Sequence, residues 1–483
     1  MWALRTFFLA FFLSFHLLGS SQDEKDVLRY SRSELHGTAR YIGMAGAFGS
    51  LGADVSSLSS NPAGIALFRK NELSFTPSFN SIRSKSHFLD QEKGKGQFEL
   101  AVEQTGLVLT RLTTDDKWKS SHLGITYERI RSFNDRVMIK GKQLERSILD
   151  YFVRLSNGIH LDQLDQEAPF TGELAYQTYL MDPKGDSSSY SHRLGGAEID
   201  MEKRMERKGS MGEVRVTLGA DRSNRLYLGA SLGIPLIDLQ RKTQHKESVR
   251  SGSNVTDFTY EEQLSVKGYG ANIELGAIYR PLEALRFGLS ARTPSILHLA
   301  DDWKTRMKAD HNPTTTYEKG WIKGHHEYRI LTPFRLMGSM AYFIKKHGVI
   351  AVEYRFKDQG SGKLIPTRKN SYGYGRENQL LRKRFKASHE VRLGAEWRLA
   401  PLYIRGGVRF ISTPTTTYWD KQEGMARTLS FGVGYRKSDF LIDLSFRTSY
   451  QEELHRPLDP RHAPTARIGH RMLGMILTGG LRL

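Results

Sequence analysis

Few residues in this chain are spaced for chemistry. Gly229-Ala230-Ser231-Leu232-Gly233 has the spacing of a nucleophile elbow. An elbow needs a sharp strand-to-helix turn that exposes its serine. Here Leu228, Ala230, Leu232 and Ile234 alternate along one face, which places the serine inside a strand. His325 and His326 are adjacent, a spacing that does not put two ligands on one helix face, and no carboxylate pattern for zinc accompanies them. They are expected in a loop or at a rim. Gly46, Gly49 and Gly52 follow no parallel strand and precede no phosphate-binding lysine, so close packing explains them better than nucleotide binding. Asn254-Val255-Thr256 is a chance match to a glycosylation sequon. Cysteine is absent, which excludes disulfide frameworks, thiol nucleophiles and cysteine zinc sites. No enzyme activity, cofactor or metal is expected.

The arginines carry more information. Arg286, Arg292, Arg392, Arg398, Arg405, Arg409, Arg436 and Arg447 fall on the polar faces of alternating segments. They can pair internally with Glu353, Glu396 and Asp443. They can also hold an anionic ligand, since the guanidinium fork grips a carboxylate at two points.

The elements that must position these residues are strands. Leu402, Ile404, Gly406, Val408 and Phe410 share one face, with Tyr403, Arg405, Gly407 and Arg409 on the other. Val391 to Leu399 and Phe440 to Tyr450 repeat the pattern, and an amphipathic helix would not place polar residues at every second position. The predicted strands are Asn71–Ile82, Glu99–Leu112, Trp118–Asn134, Ser210–Ala220, Asn224–Gln240, Phe258–Tyr279, Leu285–Lys304, Thr315–Ile344, Gly348–Lys357, Ala387–Leu399, Leu402–Ser412, Thr428–Arg436, Phe440–Tyr450 and Met472–Leu483. That is fourteen, an even number, as a closed single-chain bacterial barrel requires. Lysine at Leu444 or Val433 is expected to be costly on the lipid face, and at Ser445 on the lumen face to cost little. Arg280-Pro281-Leu282-Glu283-Ala284, Lys345-Lys346-His347 and Lys437-Ser438 read as tight periplasmic turns; 135–209, 358–386 and 451–471 read as long extracellular loops. Within the longest, Lys140 to Leu155 has a helical apolar stripe of Leu144, Ile148, Tyr151, Phe152 and Leu155. That helix either packs on its neighbours or caps the mouth with an apolar surface for extracellular capture.

Composition agrees with a membrane barrel. Mean hydropathy is −0.47. After residue 18 no apolar run is long enough for a membrane helix, but alternating strands keep the average low. Arg5, the apolar run Phe7 to Leu18 and Gly19-Ser20-Ser21 form a signal peptide, 1–21, with the mature chain expected from Gln22. The net charge of +19 therefore meets anionic lipids and solutes outside the cytosol, and no nucleic acid.

Between the leader and the first strand lies a stretch rich in small residues: Gly37-Thr38-Ala39-Arg40, Gly43-Met44-Ala45-Gly46-Ala47, Asp54-Val55-Ser56-Ser57 and Asn61-Pro62-Ala63-Gly64. Asp54 and Asn61 can each cap a short helix, the second with Pro62 at its first position. In this order, before a strand-rich chain, these pieces resemble the N-terminal hatch of the FadL/TodX family of outer-membrane transporters. Ser290-Ala291-Arg292-Thr293-Pro294-Ser295-Ile296 and Thr332-Pro333-Phe334-Arg335-Leu336, with Gly338 and Val352-Glu353-Tyr354-Arg355-Phe356, are similar to strand segments of that family. The terminal Leu483 departs from the aromatic end usual in such barrels.

The resemblance implies an all-β transmembrane antiparallel barrel in the outer membrane of a Gram-negative cell, 71–483, with a hatch, 22–70, in its lumen. It implies diffusive uptake of long-chain fatty acids or other hydrophobic, anionic small molecules. Outer-membrane lipids, lipopolysaccharide and the barrel assembly machinery would be its other partners. Hatch and gate residues would be Asp54, Asn61, Pro62, Ala63 and Gly64. Ligand-binding candidates are Phe48, Leu51, Leu58, Leu67, Phe68, Arg405 and Arg409; capture candidates are Leu144, Ile148, Tyr151 and Phe152. In that family a kink in the third strand opens the wall; here it would fall within Trp118–Asn134, where no residue signals one. The alternatives are a haem or hemin receptor on the same fold, using His325, His326 or loop histidines, and a surface or structural barrel without transport.

Overall fold

The computed structural model describes residues 24–312, 314–368, 372–415, 425–459 and 464–483. The expected leader, 1–21, lies outside the described residues. The alternating segments form one closed antiparallel barrel of fourteen strands. These are β1 Glu72–Phe88, β2 Gln91–Leu112, β3 Trp118–Ser132 continued by Asp135–Leu144, β4 Ile199–Arg222, β5 Leu226–Val249, β6 Val255–Leu282 and β7 Leu285–Arg292 continued by Ile296–His311. Then come β8 Thr315–Leu331 continued by Arg335–Ile344, β9 Gly348–Asp358, β10 Ala387–Leu399, β11 Leu402–Ile411, β12 Ala426–Lys437, β13 Phe440–His455 and β14 Ala466–Arg482. Each strand pairs with the next, and β1 closes on β14 from Glu72↔Arg482 to His87↔Arg467.

Closure pairs each strand with its neighbours and leaves backbone groups without a ladder partner where β2 and β3 part beyond Gln104. The side-chain alternation then sorts itself. On β13, Ile442 and Phe446 face out, while Asp443, Ser445 and Arg447 are buried. No described helix is long and apolar enough to cross a membrane. The strands cross it instead, which makes this an outer-membrane-type barrel. Val433 and Leu444 are paired neighbours on the outer face. Lysine at Val433 is expected to cost about 2–4 kcal/mol in a lipid-vesicle folding titration if it lies near the midplane.

The tight turns gather at one end, where the first strand begins and the last one ends: Leu483 N donates to Asn71 O at 3.0 Å. The other end carries the loops. The longest is shorter than expected, because β3 and β4 run on as Asp135–Leu144 and Ile199–Arg222, leaving 145–198. The expected helix from Lys140 therefore begins as strand, with Val137 and Ile139 buried at period two. The helix proper is Ile148–Ser156, started by a capping box in which Ser147 and Asp150 exchange hydrogen bonds.

Residues 24–70 lie against the inward face of the barrel. Three short helices, Ala39–Gly43, Val55–Ser59 and Pro62–Leu67, are started by the side chains of Thr38, Asp54 and Asn61. Asn61 does more than cap. It is fully buried, its Oδ1 accepts from Ala63 N at 3.1 Å, and its Nδ2 donates to Gly49 O at 2.7 Å and to Ala277 O of β6 at 3.1 Å. The Asn61-Pro62-Ala63 backbone presses on glycines of the wall. A Cβ on Gly229 would sit 2.3 Å from the Pro62 carbonyl carbon, and one on Gly276 would sit 2.0 Å from Asn61 Oδ1. The elbow-like glycine at 229 is thus explained by packing inside strand β5.

Candidate functional site

The period-two chain gives the barrel a lumen, and the N-terminal segment fills its lower part. Above the segment, toward the loop-bearing end, remains a cavity of about 240 Å³. Its floor is Arg29 and Arg32 to Leu35. Its walls come from β3 to β5 and from β8 to β14, with Arg131, Arg207, Arg241, Lys357, Arg409 and Arg447 among the inward cations.

The wall beside this cavity is incomplete. The ladder between β2 and β3 runs from Leu112↔Ser120 only to Gln104↔Glu128. Beyond that point β3 bulges between Arg129 and Arg131, and its continuation follows β4. The β1–β2 hairpin runs on to Phe88 and Gln91. The join above Gln104 is made by side chains: Arg129 and Asn134 both donate to Glu99 Oε1, and Arg129 Nη2 also donates to Ser132 Oγ at 3.1 Å. Extra residues in a strand re-aim it and interrupt pairing, which is the cause of the seam here. Phe98 and Leu100, 91% and 72% exposed, flank it on the outside. Behind it, His36 Nε2 lies 3.1 Å from Glu34 Oε2, and His36 Nδ1 meets Glu103 Oε2. Glu34 in turn accepts from Ser132 N at 3.2 Å. Burial alone would raise the Glu34 carboxyl, but His36 and Arg131 beside it hold it down at about 2. Glu34 and residues 131–135 line both the cavity and the break, so the two are continuous.

Of the ligand-binding candidates, Arg409 alone lines this cavity; its Nε donates to Glu390 Oε1 at 2.7 Å and its Nη2 to Ser33 O at 3.0 Å. Arg405 sits elsewhere, buried between Glu396 and Asp443 at 2.7 and 2.5 Å. Phe48, Leu51, Leu58, Leu67 and Phe68 are buried where the N-terminal segment packs, away from the open space. Asp54, Asn61, Pro62, Ala63 and Gly64 are buried in the same packing. Internal pairing accounts for several of the lumen arginines: Arg292 with Glu274, and Arg392 with Glu390 and Glu353.

The capture candidates Leu144, Ile148 and Phe152 lie in a closed core over the loop end, with Leu149, Tyr260, Met307 and Ile468, and half-buried Tyr151 packs on it. The loop between β3 and β4 is long enough to bury most of the stripe it creates, Leu155 being left exposed, so this helix packs on its neighbours. His325 and His326 lie on strand β8, not in a loop. They are held by Asp302 at 2.7 Å and by the Tyr374 hydroxyl at 2.6 Å. No group of metal-ligating side chains is found among the described residues.

Arg241 and Lys357 escaped the sequence reading. Arg241 shares the inward parity of Ile237 and Leu239, but the predicted strand stopped at Gln240. Lys357 ended its predicted strand on the inward side, with Glu353 and Arg355.

A fourteen-stranded outer-membrane barrel whose N-terminal segment lies in its lumen defines the structural class. The chain shares this fold with a FadL homologue of Pseudomonas aeruginosa, at 12% identity over 93% of this chain and 99% of that one, TM-score 0.55. It shares it equally with the Pseudomonas putida toluene transporter TodX (12%, 93% and 99%, TM-score 0.53) and the Ralstonia pickettii toluene transporter TbuX (12%, 93% and 99%, TM-score 0.50). The fold is that of the FadL/TodX barrels. No family model matches the chain. No curated protein matches it either.

Proposed function

We propose that the protein is an outer-membrane channel for the diffusive uptake of small hydrophobic molecules, long-chain fatty acids among them, with residues 24–70 as its hatch. The observation that carries this reading is the continuity of an enclosed cavity with an unladdered seam in the wall. A molecule held above the hatch has a sideways exit at the height of Gln104 and Glu128, where only side chains close the barrel. The solved structures with this fold, named as toluene transporters and a FadL homologue, support it. The reading is tested by uptake of a fluorescent fatty acid and of radiolabelled toluene in deletion and complemented cells. Uptake of at least one is expected to fall on deletion and return on complementation. Unchanged uptake of both would leave a barrel without this transport role.

A further inference from the structure

We propose that the cavity binds a multiply charged oxyanion, a solute or head group that presents two or more carboxylate or phosphate groups. This goes beyond the uptake reading, which names hydrophobic molecules: it assigns the cavity above the N-terminal segment a second, charged class of ligand.

Among the described residues, twelve Lys or Arg side chains line the cavity against five Asp or Glu. Much of that charge is already spoken for: Arg207 by Asp135 and Glu453, Arg355 by Glu353, Arg335 by Glu274 and Arg409 by Glu390. The remainder is what matters. Arg241 lines the cavity from β5, and its side chain has no ion pair or hydrogen bond among the described residues. Lys357 donates to the backbone carbonyl of Ser31 at 2.6 Å and has no carboxylate partner among them. Arg447, 2% exposed, uses Nη2 on Asn80 at 3.3 Å and Glu103 at 3.1 Å, while its buried Nε and Nη1 have no hydrogen-bond partner.

Charge enclosed away from water is costly until it is paired, and each pairing needs its own anion. A neutral hydrocarbon relieves none of it. A monocarboxylate can satisfy one cation. A ligand with several oxyanion groups brings more than one counter-charge to a lining that holds Arg241, Lys357 and the free edge of Arg447, and the planar guanidinium fork matches either carboxylate or phosphate. The volume of about 240 Å³ suits a compact, highly charged group.

The test uses the full chain in detergent, titrated calorimetrically with pyrophosphate, tricarballylate and octanoate. At least one polyanion is expected to bind roughly tenfold or more tightly than octanoate, a gap of about 1.4 kcal/mol. The pyrophosphate and tricarballylate arms decide between phosphate and carboxylate. Arg241→Gln with Lys357→Gln is expected to weaken the polyanion at least tenfold, and Arg241→Lys to retain most of the binding, which separates lost charge from lost folding. Polyanion binding no tighter than octanoate, or unchanged in the double variant, would overturn the inference. The uptake assay in deletion cells is read separately, so the channel reading can survive that result.

Discussion

Gly229→Val is expected to displace the N-terminal segment while leaving the barrel intact. The new side chain would begin 2.3 Å from the Pro62 carbonyl carbon and 2.4 Å from Ala63 N, both backbone atoms that cannot rotate away. Strand β5 cannot yield either, because Gly229 is laddered to Gly219 on one side and Gly276 on the other. Overpacking of this kind costs about 1–3 kcal/mol, small against a closed barrel and large for a short segment. Asn61→Ala should act in the same direction. It removes a cap worth about 1 kcal/mol. It also takes the donor from Gly49 O and Ala277 O, so the total is about 2–3 kcal/mol. The expected phenotype is uptake changed on the order of tenfold, the factor that 1.4 kcal/mol makes in an equilibrium. Surface abundance and heat-modifiability should stay normal. A segment driven out of place would show as new sensitivity to large antibiotics. Wild-type uptake and permeability in both variants would make this segment architecture and no gate.

Arg129→Ala is the second large effect. Arg129 and Glu99 are nearly enclosed, with side chains 5% and 8% exposed. Removing one partner of such a pair costs about 3–5 kcal/mol, because the other is left as an unpaired charge. Here the pair spans the one stretch where β2 and β3 share no ladder. The loss should therefore be local and appear as a looser seam, with faster entry of hydrophobic dyes. Arg129→Lys should restore part of the barrier, since a lysine keeps the charge but does not place its ammonium where Nη2 reaches both Glu99 and Ser132. Dye entry identical to wild type in Arg129→Ala would remove the seam from the proposed route.

The strands were readable because lipid imposes a simple rule on them. Residues such as Val433, Phe446 and Ile442 must be apolar, their neighbours need not be, and the alternation survives in the sequence. All fourteen predicted strands overlap observed ones. The seam was not readable, because the bulged residues Arg129, Ile130 and Arg131 of β3 include no glycine or proline, only one residue too many against Gly212 and Met211 of β4. The inner face was denser than its polarity suggested. Ser445, expected to accept lysine cheaply, is fully buried, and a Cβ on Gly432 would stand 3.3 Å from its own. The cavity lining was missed for a related reason. Strands run beyond the membrane as extended hairpins: the predicted end at Gln240 cut off Arg241, and Lys357 stood at the last position of its predicted strand, although both face the space above the N-terminal segment.

The way the N-terminal segment is tethered bears on how the molecule is put together. Asn61 and the short helix Pro62–Leu67 dock on strands from the first half of the chain, with Asn61 bonded to Ala277 and Pro62 against Gly229. Arg40 and Ala39 bind Glu396 and Thr478, from the second half. The segment is a strut between early and late strands of a cylinder whose first and last strands are sealed to each other. All of its contacts exist together only when Glu72 to His87 are laddered to β14, so seating the strut and sealing the wall depend on each other.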